Sequence, residues 1–171
     1  YEDIASIGNR IFVLQSNGKI HSFTMPSPSQ KTVNNYTIHD LPLSKGEYEG
    51  LASSHVPNQL VVLCKACEVD KKQQQTSGYV VQLNNQSQAS IKEHFTIPWQ
   101  KIEAKSKPLK KDFSPSAIAW NKFTRQWYIV SSVNKLLVIT DAAWNVQRVY
   151  PLHYKHFVQP EGIAFDNAHN L

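Results

Sequence analysis

Tyr48-Glu49-Gly50-Leu51-Ala52 decides the fold, because the chain repeats it. Pro160-Glu161-Gly162-Ile163-Ala164 stands near the end, Tyr1-Glu2-Asp3-Ile4-Ala5 at the start, and a degenerate copy, Pro115-Ser116-Ala117-Ile118-Ala119, between them. Each copy runs from an acid or hydroxyl through a small or turn-compatible residue to a branched aliphatic and an alanine. Successive copies start 47, 67 and 45 residues apart. A period in the forties, carried by short strands, is the signature of β-propeller blades.

The segments between the copies align too. Ile11-Phe12-Val13-Leu14, Leu60-Val61-Val62-Leu63 and Trp127-Tyr128-Ile129-Val130 are equivalent apolar runs. Residues 19–23, 79–83 and 135–139 form a second set, and residues 36–38, 95–97 and 149–152 a weaker third. With the motif strand this makes four strands per repeat, as a blade requires. The expected class is all-β: a propeller of four-stranded antiparallel blades, about three of them plus one strand, in repeats 1–47, 48–113, 114–158 and an incomplete 159–171. Strands are predicted near 3–7, 10–16, 18–24, 33–39, 50–54, 59–66, 78–84, 91–97, 117–120, 126–132, 135–141 and 146–152, with helix nearly absent. The second repeat's 20-residue excess falls in the polar segments 68–77 and 100–112, where insertion is cheap because loop-closure entropy grows slowly with length. Residues 60–63 are apolar at successive positions, as befits an inner strand covered on both faces by neighbouring blades. Three repeats and a strand do not close a ring, and an open ring exposes apolar faces and strand edges. The chain is therefore expected to be a fragment of a longer protein, or to have its edges covered by the rest of the parent chain or another copy.

Hydrophobic residues make up 41% of the chain, enough for a core. No apolar run reaches the ~18 residues of a membrane span, and no signal peptide is visible. Net charge is +5, but Lys101, Lys105, Lys107, Lys110 and Lys111, set against Glu103 and Asp112, concentrate +3 of it in residues 101–112. That run reads as a solvated loop. Without an aromatic stacking platform it argues against nucleic acid as a partner.

Cys64 and Cys67 admit three readings: two small buried side chains, a disulfide or redox pair, or half of a metal site. On an extended strand, positions three apart face opposite ways, which favours the first. Lys65 follows the apolar strand where the chain emerges near a propeller's channel mouth. It can pair with a channel carboxylate or run to solvent. Trp120, Trp127 and Trp144 are candidates for blade packing or a sugar platform. His153 and His156, three apart in a connection without acids, read as solvated rather than as metal ligands.

An aromatic-Glu-Gly-Leu/Ile-Ala motif, followed by a turn and an apolar strand ending in Cys64-Lys65, resembles the SdiA-regulated protein family. The copies that carry the likeness are residues 48–52 with 60–65, and 160–164 with Phe165-Asp166. The resemblance implies a six-bladed propeller, usually exported to the bacterial periplasm or cell envelope. It also implies kinship with phytase-like and lactonase-type propellers, several of which hold calcium in the channel. The chain departs from the motif at Ser116, which leaves a gap in the implied acidic ring.

Because the motif begins each innermost strand, Glu2, Glu49, Ser116 and Glu161 are expected to line the channel at one height, with Lys65 beside them. Converging carboxylates repel, so they must bind a cation, pair with a base or take up protons. Oxygen-only ligands suit Ca²⁺, with Glu49, Glu161 and Glu2 as candidate ligands. The alternative is that each glutamate accepts backbone N–H bonds from a neighbouring blade. Two function classes follow. One is a non-catalytic module of the cell envelope that binds or scaffolds a small ligand or an envelope protein. The other is a calcium-dependent hydrolase of phosphate esters, lactones or other esters. No histidine falls in a motif copy and no Gly-x-Ser-x-Gly occurs, which favours the first.

Overall fold

The computed structural model describes residues 1–84, 86 and 88–171. Among the described residues, twelve strands form three four-stranded antiparallel sheets, each a meander of sequence neighbours. The first holds β1 (Asp3–Ile7), β2 (Arg10–Leu14), β3 (Ile20–Thr24) and β4 (Thr37–His39). The second holds β5 (Gly46–Ser53), β6 (Gln59–Cys67), β7 (Gln75–Leu83) and β8 (Ala89–Pro98). The third holds β9 (Ala117–Asn121), β10 (Gln126–Ser131), β11 (Leu136–Thr140) and β12 (Val146–Pro151). Among the described residues no helix is long and apolar enough to cross a membrane.

The second sheet lies between the other two, and its inner strand shows why. Leu60, Val62 and Cys64 of β6 join Phe12, Leu14 and Ile20 of the first sheet in one core. Val61 and Leu63 join Ile129, Trp127 and Val138 of the third sheet in another. Alternate side chains of a strand point to opposite faces, so a run apolar at every position feeds two cores at once. The motif strands β1, β5 and β9 lie side by side. Gly50 is where β5 meets its neighbour: a Cβ there would stand 3.1 Å from Leu63 Cβ and 3.3 Å from Ile118 Cγ2.

Three features depart from the expected layout. β5 begins at Gly46, because Gly46, Glu47 and Tyr48 stay laddered to Cys67, Ala66 and Cys64 across register shifts. Two one-turn helices occupy segments read as loops, α1 (Glu68–Gln73) and α2 (Trp99–Glu103). In α1, Glu68 and Asp70 sit in the first turn and Lys71 and Lys72 in the last, matching the helix dipole, before Gln74 turns left-handed at φ 52°. Finally, residues 159–165 form no strand. Elsewhere a motif strand ladders to the strand that follows it, whereas here Asp166 to Asn170 close a turn instead.

Candidate functional site

A paired bulge builds the first part of the site. In the β5–β6 ladder Glu47 faces Ala66, Tyr48 faces Cys64 and Gly50 faces Leu63. Lys65 is thus the extra residue of β6 and Glu49 the extra residue of β5, each freed from the ladder. Their half-buried side chains form an ion pair. The ammonium of Lys65 is held above its ordinary pKa, chiefly by its hydrogen bond to Glu49, with the charges of Glu47 and Glu2 adding to it.

The same bulge settles the cysteines. One extra residue shifts the strand's phase, so positions 64 and 67 share a face, and the two form a disulfide with Cα atoms 5.9 Å apart. Both lie in the core between the first and second sheets. The expectation of opposite faces, sound for a regular strand, fails because the ladder slips at Lys65. Tyr48, fully buried, packs here: its hydroxyl donates to Ser44 O at 2.6 Å, and its N–H donates to Ser16 O of the first blade at 2.8 Å.

The second part is the opening that the motif strands enclose. A cavity of about 360 Å³ is walled by the motif's aliphatic positions, Ile4, Leu51, Ile118 and Ile163, and by its alanines, Ala5, Ala52, Ala119 and Ala164. All four copies therefore meet at one place, as a common register requires. Asp3, Ser6, Ser53, Ser54 and Lys122 supply the polar groups of this wall, and Trp120 and Phe165 its aromatic rings. Trp120 stacks on His55 with ring centroids 4.3 Å apart.

The glutamates of the motif are not equivalent. Glu49 is held by Lys65. Glu2 is exposed, as is Glu161, which accepts a bond from Gln159 Nε2 at 2.5 Å. Ser116 is buried at 3% exposure and closes its own hairpin, accepting from Ser132 N at 3.1 Å and donating its N–H to Val130 O at 2.7 Å. Sequence reasoning missed Asp3. Its Oδ2 accepts the Leu51 N–H of the next blade at 2.7 Å and its Oδ1 the Ile4 N–H at 2.8 Å. The inter-blade bond expected of a motif glutamate is thus made one residue later. The signal was an acid at the place where Gly50 and Gly162 stand in the better copies.

Calcium takes six to eight oxygens. Of the three candidate calcium ligands, Glu49 is already ion-paired with Lys65, and Glu2 and Glu161 are exposed. Among the described residues, the cluster of three potential ligands is Cys64, Cys67 and Asp70. Its sulfurs are joined to each other, and the buried Asp70 accepts bonds from Ser77 N at 2.8 Å and Ser77 Oγ at 2.6 Å. His153 and His156 lie exposed in a turn. Trp127 and Trp144 are buried between the second and third blades, and Trp120 is half-buried at the cavity.

Asp3 gives this site a pH dependence. Burial pushes its carboxyl up to about 6 from 3.8, outweighing the N–H bonds of Leu51 and Ile4, which lower it. Between about pH 4 and 6 the folded chain holds this proton more tightly than the unfolded one, so stability falls as pH rises through that window. Asp3→Asn keeps an acceptor for Leu51 and removes the charge. Its urea midpoint should match the parent chain at pH 4 and exceed it at pH 7.5 by the equivalent of about 1–2 kcal/mol, allowing for solvent screening. A gap that is the same at both pH values would rule out a buried charge at Asp3.

No protein-family model matches the chain, and no curated protein matches it. Among solved structures it is similar to the major Malassezia sympodialis allergen Mala s 1, at 10% identity and a TM-score of 0.54, over 87% of this chain and 47% of that one. It is also similar to the Pseudomonas aeruginosa periplasmic gluconolactonase PpgL, at 14% identity and a TM-score of 0.46, over 84% of this chain and 36% of that one. The chain thus spans less than half the length of either structure. At such identities the likeness is one of fold alone, and together with the three four-stranded sheets it places the chain among the β-propellers.

Proposed function

We propose that this chain is part of a propeller of the SdiA-regulated type, a non-catalytic binding or scaffolding module of the bacterial cell envelope. The observation that carries binding over catalysis is where the carboxylates go. Asp3 is spent on the backbone of the next blade and Glu49 on Lys65. A general base or calcium ligand needs lone pairs free to face a substrate or ion. The Cys64–Cys67 disulfide supports export, since such bonds persist in oxidising compartments. The cavity between the motif strands, with Asp3, Lys122 and three serines beside the aliphatic positions and Trp120, suits a small polar ligand, in the volume range at which such sites begin.

A hydrolase of phosphate esters, lactones or other esters is the second reading. The observation on its side is Asp3, a carboxyl titrating at about 6 in the cavity wall. The test is a turnover assay of this chain and of any longer parent against phytate, simple phosphate and carboxylate esters, and lactones, with and without calcium. No turnover is expected. Calcium-dependent turnover that disappears in Glu49→Gln would overturn the binding reading.

A further inference from the structure

The lysine-rich stretch after α2 is not a free loop. Ile102 of α2 is fully buried, and Trp99 donates its Nε1–H to Thr76 Oγ1 at 2.9 Å. Beyond the helix, Glu103 Oε1 accepts the Leu109 N–H at 2.9 Å and Ser106 Oγ donates to Ile102 O at 3.0 Å. Farther on, Asn134 Nδ2 reaches the carbonyls of Lys111 and Asp112 at 3.2 and 3.3 Å. Leu109 packs on the core together with Val149. These fixings hold the stretch against the β10–β11 turn and the end of β12 as one wall of a cavity of about 550 Å³.

The chemistry of that cavity is one-sided. Lys105, Lys107, Lys110, Lys111 and Lys135 line it, and no acid does. The ion pairs among the described residues are Lys19–Asp40, Lys45–Glu68 and Lys65–Glu49, so none of these five lysines has a carboxylate partner. Lys135 is pinned, its Nζ donating to Val158 O at 2.5 Å. The neighbouring acids, Glu103 and Asp112, line an adjoining cavity with Lys110 and Lys111, and Glu103 accepts the Leu109 N–H. The floor is apolar, formed by Leu109, Leu136, Val149 and Leu152. Like charges held together repel, and they concentrate anions from solution. An apolar floor adds affinity for any ligand that brings hydrocarbon with its charge.

We infer that this cavity binds an amphipathic anion, a phosphate or carboxylate carried on an aliphatic body, with the lysines on the headgroup and the floor on the chain. The site is separate from the opening between the motif strands and does not depend on the role proposed for it.

The experiment is calorimetric titration of the chain with decyl phosphate below its micelle concentration, alongside decanol, inorganic phosphate and phosphatidylglycerol vesicles. Saturable one-to-one binding of decyl phosphate is expected, with decanol and inorganic phosphate each about tenfold weaker or more. The variant K107A/K110A/K111A should weaken decyl phosphate about tenfold, because three partly screened contacts are lost. These lysines are exposed, so the variant should keep the parent's circular dichroism; K107Q alone, with a smaller loss in the same direction, serves if it does not. Equal affinity of parent and variant for decyl phosphate would overturn the inference, and so would inorganic phosphate binding as tightly as decyl phosphate. Vesicle binding without decyl phosphate binding would assign the lysines to surface attraction and overturn the cavity as a site.

Discussion

Trp127→Ala lowers the stability of the chain by about 3–5 kcal/mol in urea unfolding, the cost of emptying a large aromatic site that cannot collapse. Trp127 is 1% exposed on β10, in the core shared by the second and third blades. Trp144 lies nearly parallel to it at 5.2 Å between ring centroids, and Trp120 meets it edge-on at 4.9 Å. Phe95 of the second blade stacks on Trp144 at 3.5 Å, so the rings form one column across the blade boundary. The indole Nε1–H of Trp127 has no hydrogen-bond partner. Trp127→Phe therefore gives up no hydrogen bond, and its loss should stay below about 1.5 kcal/mol. A Trp127→Ala chain within about 1 kcal/mol of the parent would show that the column does not join the blades.

The second large effect is expected at the disulfide. Cys64→Ser with Cys67→Ser should cost about 2 kcal/mol, the chain-entropy value for closing so short a loop. Two buried hydroxyls in place of the sulfur pair add to the loss, since both positions lie in the apolar core between the first and second blades. Lys65 sits inside the closed loop, so opening it also loosens the bulge that presents Lys65 to Glu49. Chemical thiol titration of the unfolded chain without reductant should find no free thiol, and reductant should lower the urea midpoint. Two titratable thiols in the untreated chain would remove both the bond and its support for an exported protein.

Periodicity made most of the architecture legible. The motif copies, the apolar runs at matching offsets and the continuous apolar stretch 60–63 led to strands whose observed bounds fall within a few residues of expectation. The site was less legible. The pairing of Lys65 with Glu49 was foreseeable as two charges near one channel mouth. The equivalence expected of Glu2, Glu49 and Glu161 was not met, because alignment in sequence says nothing about what a neighbouring blade presents to each copy. Asp3 escaped notice because it occupies a glycine position of the motif, where an acid is an exception to the pattern rather than part of it.

The sequence by itself determined what depends on local repetition: the all-β class, the order of the strands in three four-stranded sheets and the antiparallel meander. Those follow from side-chain alternation and turn chemistry, which act over a few residues at a time. Tertiary structure alone decided the rest. A one-residue slip between β5 and β6 turned Cys64 and Cys67 to one face and brought Lys65 to Glu49. Anchors distant in sequence, Asn134 and Val149, turned a lysine-rich insertion into the wall of a cavity. Register and loop docking are set by contacts between residues far apart in the chain, and no local pattern encodes a bulge that reverses the facing of every residue beyond it.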